Sequence, residues 1–472
     1  MPIRKTGSGQ EVPFYDFGPD LNLSTPGIVL DANNAIPTIK GYKSRNSAQQ
    51  VAPALPLTGA SQTETPIGAY VALYQDGSTK IFAGTATRLF RLDSGAWTTV
   101  GSGYSATFPW VFTQFLQDVI ATSPGNSNMQ VAAGPTGTFS NLAGGPPTNA
   151  TSVISVGGVV AAYRNADYLN SAVGGDNYWS PPTPSNGSFQ GTLYDFPGNI
   201  VAAAALFRNQ IMFKKNSMFM ATPVQGSQQW NTQILSANTG TWGQGCVCPM
   251  PTAISFLGTD DFYICQAAAP QRIPNSCKEW FFNTCHKDAS GSPDQLQTTS
   301  SWYDPMTATC YWHFVSQSPP FAGMPDRYVG WNSRSGRWVP GYLNTPLVVW
   351  NTQPGQQAGL YFDNNGALQS WTGPPTTMFI LTGFQGDPDN LTQLQKVRVS
   401  YATGLMPTSQ NLIPMHVYRM GDYPTVEIPA ILAADGWFNF RYTDRYHQVQ
   451  IQTSGPAEIQ AMAYEGRLAG VR

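Results

Sequence analysis

The chain has 472 residues, of which only 11% are charged, against about 25% in an average soluble protein. It carries 46 glycines, 38 prolines and 12% aromatics, while glutamate occurs only at positions 11, 64, 279, 427, 458 and 465. Exposed helix faces are normally filled with Glu, Lys, Arg and Gln, so a helical protein is excluded and an all-β chain is expected.

A net charge of −2, a pI near 6.1 and the absence of any Lys/Arg run argue against gripping DNA or a polybasic membrane role. The longest apolar run, 200–207 (IVAAAALF), falls far short of the roughly 20 residues that cross a bilayer, so no membrane insertion is expected. The opening MPIRKTGSGQEVPF lacks the apolar segment of a secretory signal, which predicts a chain made in the cytoplasm. So few charges also predict that much of the exterior is buried against other subunits.

Residues 1–64 are punctuated by Pro13, Pro19, Pro26, Pro37, Pro53 and Pro56. Proline at this density blocks helices and central strands, so an extended N-terminal arm lying along a surface is expected. Its short apolar run Gly27-Ile28-Val29-Leu30 could add to a sheet edge elsewhere.

From 65 to 375 the pattern is one of short strands and tight turns. The first unit is 69–74 (AYVALY), 80–83 (KIFA), 88–92 (RLFRL) and 97–100 (WTTV), joined at Gln75-Asp76-Gly77-Ser78, Gly84 and Asp93-Ser94-Gly95. Four strands within some 35 residues form a meander. The unit recurs with onsets near 69, 110, 152, 200, 253, 301 and 359, the third turning at Gly157-Gly158. One meander per 40 to 50 residues is the signature of a β-propeller, here of six or seven blades, with a large β-sandwich as the other architecture. Residues 376–472 change again: Val397, Val399 and Tyr401 alternate with Arg398 and Ser400, and Val449 and Ile451 with glutamines. One buried and one polar face predict a C-terminal antiparallel β-sandwich-like domain.

Chemistry is sparse. The six cysteines (246, 248, 265, 277, 285, 310) include Cys246-Val-Cys248, but structural zinc needs wider Cys-x2–4-Cys knuckles, so buried free thiols are expected. His286, His313, His416 and His447 are scattered, and no nucleophile elbow, phosphate loop or zincin motif occurs. No catalytic, cofactor-binding or metal-ligating residue is assigned, no cofactor is expected, and the chain reads as no enzyme. The rival reading is a carbohydrate-binding or glycosidase propeller acting on surface glycans. The turns at Asp93-Ser94-Gly95 and 332–338 resemble Asp-box turns, and Glu279 is the sole glutamate between 65 and 426. The aromatics Trp302, Tyr303, Tyr311, Trp312, Trp331 and Trp338 could stack sugars, although such side chains in strand repeats usually pack between blades.

Three stretches resemble the tail nozzle (tail hub) proteins of short-tailed double-stranded DNA bacteriophages. The first is Tyr15-Asp16-Phe17-Gly18-Pro19-Asp20-Leu21 with Ser24-Thr25-Pro26-Gly27, Asn33-Asn34-Ala35-Ile36-Pro37-Thr38 and Gly41-Tyr42. The second covers 205–213, Asn216-Ser217-Met218-Phe219-Met220 and Gly240-Thr241-Trp242-Gly243. The third is Arg441-Tyr442, Arg445-Tyr446-His447 and 459–464. The resemblance implies a propeller-bearing virion subunit in the tail, six copies forming a homo-oligomeric ring below the portal adaptor (the head-to-tail connector). Such a ring is a conduit for genome ejection, with transient passage of double-stranded DNA, and a mount for tail fibre or spike proteins. A near-neutral chain suits such a conduit, since every phosphate neutralised by Lys or Arg adds attraction that stalls passage.

Overall fold

The computed structural model describes residues 11–56, 64–179, 187–224, 229–291, 293–294, 296–351, 358–420 and 422–471. Among them, seven four-stranded antiparallel sheets follow one another along the chain. The first comprises Gly68–Leu73, Thr79–Gly84, Arg88–Asp93 and Ala96–Ser102; the next five span 111–141, 152–192, 202–236, 247–272 and 300–342. The seventh takes Val348–Asn351, Ala358–Phe362 and Ala367–Ser370 from the chain's middle and its outer strand, Gln49–Ala54, from the N-terminal region. The first strands of successive sheets touch in order, and Val348–Asn351 returns to touch Gly68–Leu73. The ring is therefore closed: a seven-bladed β-propeller whose last blade is completed across the start of the chain, leaving no open end.

Turn chemistry sets the local geometry. Gly157 and Gly158 both take positive φ (59° and 86°), as a two-residue primed hairpin turn requires. In the sixth blade, Tyr311 lies opposite Gly330 and Tyr328 opposite Gly341, and each ring covers its glycine partner. A Cβ at Gly341 would stand 2.0 Å from the Tyr328 ring, so these glycines make room for aromatics. Six of the gaps between blades hold their own apolar cluster, for example Phe82, Trp110 and Val119 between the first two, while the gap between the sixth and seventh blades shares one with the large sheets.

Two onsets expected from sequence, 253 and 359, fall on second strands. The first strands of those blades are Val247–Pro249 and Val348–Asn351. They are short, and proline ends one and lies two residues before the other.

Two six-stranded sheets carry the remainder. One runs Ala35–Pro37, Tyr42–Ser44, Glu458–Val471, Asn390–Tyr401, Phe438–Asp444, with Glu11–Pro13 also on Glu458–Val471. The other runs Val29–Asn33, Met378–Thr382, Tyr446–Ser454, Ser409–Val417, Thr425–Val426, with Gln385–Gly386 on Tyr446–Ser454. Both contribute to one buried cluster that includes Ile380, Val397, Leu412, Ile451 and Ile459. A register shift between Leu394 and Lys396 lets Leu394 and Val397 both face that core.

The N-terminal arm expected over residues 1–64 runs along the rest of the molecule and, as expected for 27–30, adds strands to sheet edges. Strands from 11–44 are built into the two large sheets, and 49–54 into the seventh blade. Prolines 13, 37 and 53 sit in edge strands, where a missing N–H costs no ladder bond.

The same segment covers the open edge of the sixth blade. Its outer strand, Trp338–Tyr342, directs the Trp338 N–H to Asp16 Oδ1 (2.6 Å) and the Tyr342 N–H to Asn33 Oδ1 (3.0 Å), while Pro340 between them has none. The Tyr342 hydroxyl donates to Asp31 (2.5 Å). Side-chain acceptors thus complete an edge that would otherwise recruit another strand.

Asp16 provides a pH test. Burial pushes its carboxyl up to about 7, against the pull of the Trp338 and Phe17 N–H groups and of Arg337. The folded chain therefore keeps a proton between about pH 4 and 7 that the unfolded chain has released, and this contribution to stability falls as pH rises through that window. Asp16→Asn keeps an acceptor without the charge. Its unfolding free energy relative to wild type is expected to rise between pH 4 and 8 in urea titrations; a constant difference would contradict this.

Candidate functional site

The inner strands and the loops leading into them line an open cavity of about 960 Å³. It is walled by residues of the first, second, fifth, sixth and seventh blades, among them Tyr70, Trp110, Val247, Ser301, Tyr303 and Val349. Prolines 66, 109, 249, 251, 305, 325 and 346 stand around it, presenting carbonyls without donors. No Asp, Glu, Lys, Arg, His or Cys is among its described lining residues. Its polar groups are hydroxyls, the Gln244 amide and backbone. Gln244 is itself engaged, bridging Ala203 N–H and carbonyl (2.9 and 3.0 Å) and accepting from Ser152 Oγ (2.8 Å). Such a wall can hold a neutral group or water; it offers neither an acid–base pair nor a charged nucleophile.

Acids gather instead in a shallower depression of about 450 Å³ beside the helix Lys278–Thr284. Asp20, Asp261 and Glu279 line it with Arg272 and Lys278. Asp20 accepts the backbone N–H groups of Glu279 (2.7 Å) and Trp280 (2.8 Å), capping a helix more than 250 residues away in sequence. Burial nonetheless raises its pKa. Asp261 accepts from Phe262 N–H (2.8 Å) and Asn275 Nδ2 (2.9 Å), and Asp260 pairs with Arg272 (2.7 Å). Asp20 and Asp261 are therefore engaged in holding the helix and its preceding loop.

The six aromatics singled out in sequence behave as packing. Trp302, Tyr311, Trp312, Trp331 and Trp338 are buried, Trp302 stacks on Tyr311 (4.7 Å between centroids), and Trp312 stacks on Trp338 (6.1 Å). Tyr303 is half-buried at the channel. All six cysteines are buried and free, and among the described residues no group of His, Cys, Asp and Glu could hold a metal. His313 is buried, its pKa pushed down to about 4 by desolvation, with Nε2 bonded to the Leu343 carbonyl (2.7 Å). The Asn332 turn that resembled an Asp box is a clasp: its Oδ1 accepts from Arg334 and Ser335 N–H, and its Nδ2 donates to the Pro37 carbonyl (2.9 Å).

Two of the three buried cations among the described residues, Arg45 and Lys214, escaped the sequence reading because lone basic residues carry no pattern. Arg45 lies between propeller and large sheets, over the rings of Tyr311, Tyr328 and Trp371. Lys214 is buried at the end of a fourth-blade strand and donates to the carbonyls of Leu193 (2.9 Å), Asp195 (3.2 Å) and Phe196 (2.6 Å). Lys214→Met strips these acceptors of their shared donor and is expected to cost about 2–3 kcal/mol in denaturant unfolding. A change under about 0.5 kcal/mol would show the loop re-solvates freely.

No family model matches the sequence, and no curated protein does. Among solved structures the chain is similar to BamB from Moraxella catarrhalis, at 8% identity and TM-score 0.41 over 72% of this chain and 96% of that one. It is similar to the β-propeller domain of Cps50 (Swd1), printed as from Myceliophteria thermophila, at 7% identity and TM-score 0.41 over 64% and 96%. It is also similar to the computationally designed protein Ika8, at 8% identity and TM-score 0.40 over 76% and 99%. Likenesses this distant bear on no function. The strand pairing and the closed ring of inner strands make this an all-β, seven-bladed propeller.

Proposed function

We propose that the chain is a non-enzymatic structural subunit of a phage virion, a tail nozzle protein. Six copies form a ring below the portal adaptor, conduct genome release and carry fibres or spikes. The observation that supports this most is the cavity of about 960 Å³ at the inner strands, whose described walls carry no charged side chain, so the fold offers surface and rigidity there in place of reactive groups. The sequence resemblance supports the same reading, and a chain with 11% charged residues and net charge −2 suits a conduit that must not hold a polyanion. The rival glycan-processing reading looks to Glu279, the sole glutamate between 65 and 426, whose neighbours Asp20 and Asp261 are engaged in hydrogen bonds that hold the helix.

The test is peptide quantification in purified particles. Six copies per particle are expected, and no turnover in a fluorogenic glycoside screen. Absence from particles, or glycoside turnover abolished by Glu279→Gln, would overturn the reading.

A further inference from the structure

Two exposed apolar surfaces lie on separate parts of the molecule, one on the large sheets and one on the propeller. The first is a tongue over residues 418–420 and 422–436, at the edge of the sheet ending in Thr425–Val426. It is ordered against Ser409–Val417 through Glu427 N–H to the Pro414 carbonyl (3.0 Å) and Ala430 N–H to the Leu412 carbonyl (2.8 Å). Yet Tyr423 is 100% exposed, Ile428 80%, Ile431 85% and Val426 60%. Those four side chains present on the order of 600 Å², most of the ~800 Å² that each partner gives to a standard-size interface. The far side of Thr425–Val426 is an open strand edge among the described residues.

The second surface is the row of hairpin tips on blades two to four. Leu116 and Phe207 sit at first turns with positive φ (54° and 57°), a conformation that favours glycine or asparagine, and both are about two-thirds exposed. Val173 stands between them, exposed and next to Gly158. The large sheets dock on the sixth blade, where Val29–Asn33 and Ala35–Pro37 touch Trp338–Tyr342. In a closed ring of seven, blade three is opposite the gap between blades six and seven, whose Tyr328 and Val348 share the large sheets' buried cluster.

We propose that the tongue of one copy docks on the blade two-to-four tips of a second copy, head to tail. This rests on the ring-subunit reading and names its seam. The occupant is a second copy because one chain carries both apolar surfaces, one on the large sheets and one on the propeller, and neither is covered within the chain. Such a heterologous contact closes into a ring when its rotation allows. The tongue's charges, Arg419 against Asp422, Glu427 and Asp435, disfavour a nucleic acid or anionic lipid.

The test uses full-length chains in native mass spectrometry. Wild type is expected to form species heavier than the 51.1 kDa monomer. A tongue variant (Y423S/I428S/I431S) and a tip variant (L116G/F207N) are each expected to be monomers with cooperative melts, the tip variant at least as stable as wild type because its turn strain is relieved. Mixed, the two variants leave one intact tongue and one intact tip surface, so a dimer and nothing larger is expected. Wild type monomeric to its solubility limit, either variant assembling as wild type does, or a mixture of monomers only would each overturn the seam. None of these bears on whether particles contain the chain, so failure of the seam is separable from failure of the virion reading.

Discussion

Replacing Arg45 with alanine is expected to lower the free energy of unfolding by about 4 kcal/mol. The backbone of Arg45 belongs to the large sheets, its N–H bonded to the Asn34 carbonyl (2.8 Å) and its carbonyl to Thr376 N–H (2.8 Å). Its side chain belongs to the propeller. The guanidinium carbon stands 4.9 Å from the Tyr311 and Tyr328 ring centroids and 4.7 Å from that of Trp371, side chains of the sixth and seventh blades. Buried cation–π contacts are worth about 2 kcal/mol or more together, and removing the stem leaves a cavity between the two halves. Lysine keeps the charge but not the planar face, so Arg45→Lys should recover less than half of the loss. Urea titrations of the three proteins decide it. A wild-type midpoint for Arg45→Ala would mean that the cage is decoration.

The second large effect concerns the start of the chain. A protein lacking residues 1–56 is expected to show no cooperative unfolding transition. The deletion removes the outer strand of the seventh blade and four strands of the large sheets, and it uncovers the Trp338 and Tyr342 N–H groups. It also removes the Pro53 carbonyl that accepts from Trp97 Nε1 (2.9 Å) across the ring closure. A milder counterpart is Ala52→Asp: Ala52 is 2% exposed between the seventh and first blades, and an unpaired carboxylate there should cost several kcal/mol or force proton uptake. A truncated chain melting cooperatively within a few degrees of the full protein would show that the closure is dispensable.

Much of the propeller was legible because its signals are local. Gly157-Gly158 and Asp93-Ser94-Gly95 specify hairpins by backbone conformation alone, and their recurrence at 40 to 50 residues announces blades. Likewise the alternation of Val397 and Val399 with Arg398 and Ser400 marks a half-buried strand. What stayed hidden depends on partners hundreds of residues away. Gln49–Ala54 reads as an irregular proline-bearing run until Ala367–Ser370 supplies its partner. Asp16, Asn33 and Asp20 each accept a backbone N–H from a segment far along the chain, a partnership no local pattern announces. The tongue is hidden differently: the sequence of 422–436 does not say that its apolar side chains stay open to solvent. The uncharged channel was foreshadowed only by the overall scarcity of charge.

The most direct measurement of the functional account is an averaged electron-microscopy reconstruction of the tail section of particles that carry this chain. Six copies are predicted around the tail axis, each a seven-bladed ring, with residues 423–431 of one copy against blades two to four of the next. Particles whose tails lack this density, or a chain found only as an isolated monomer with an occupied reactive cleft, would contradict it.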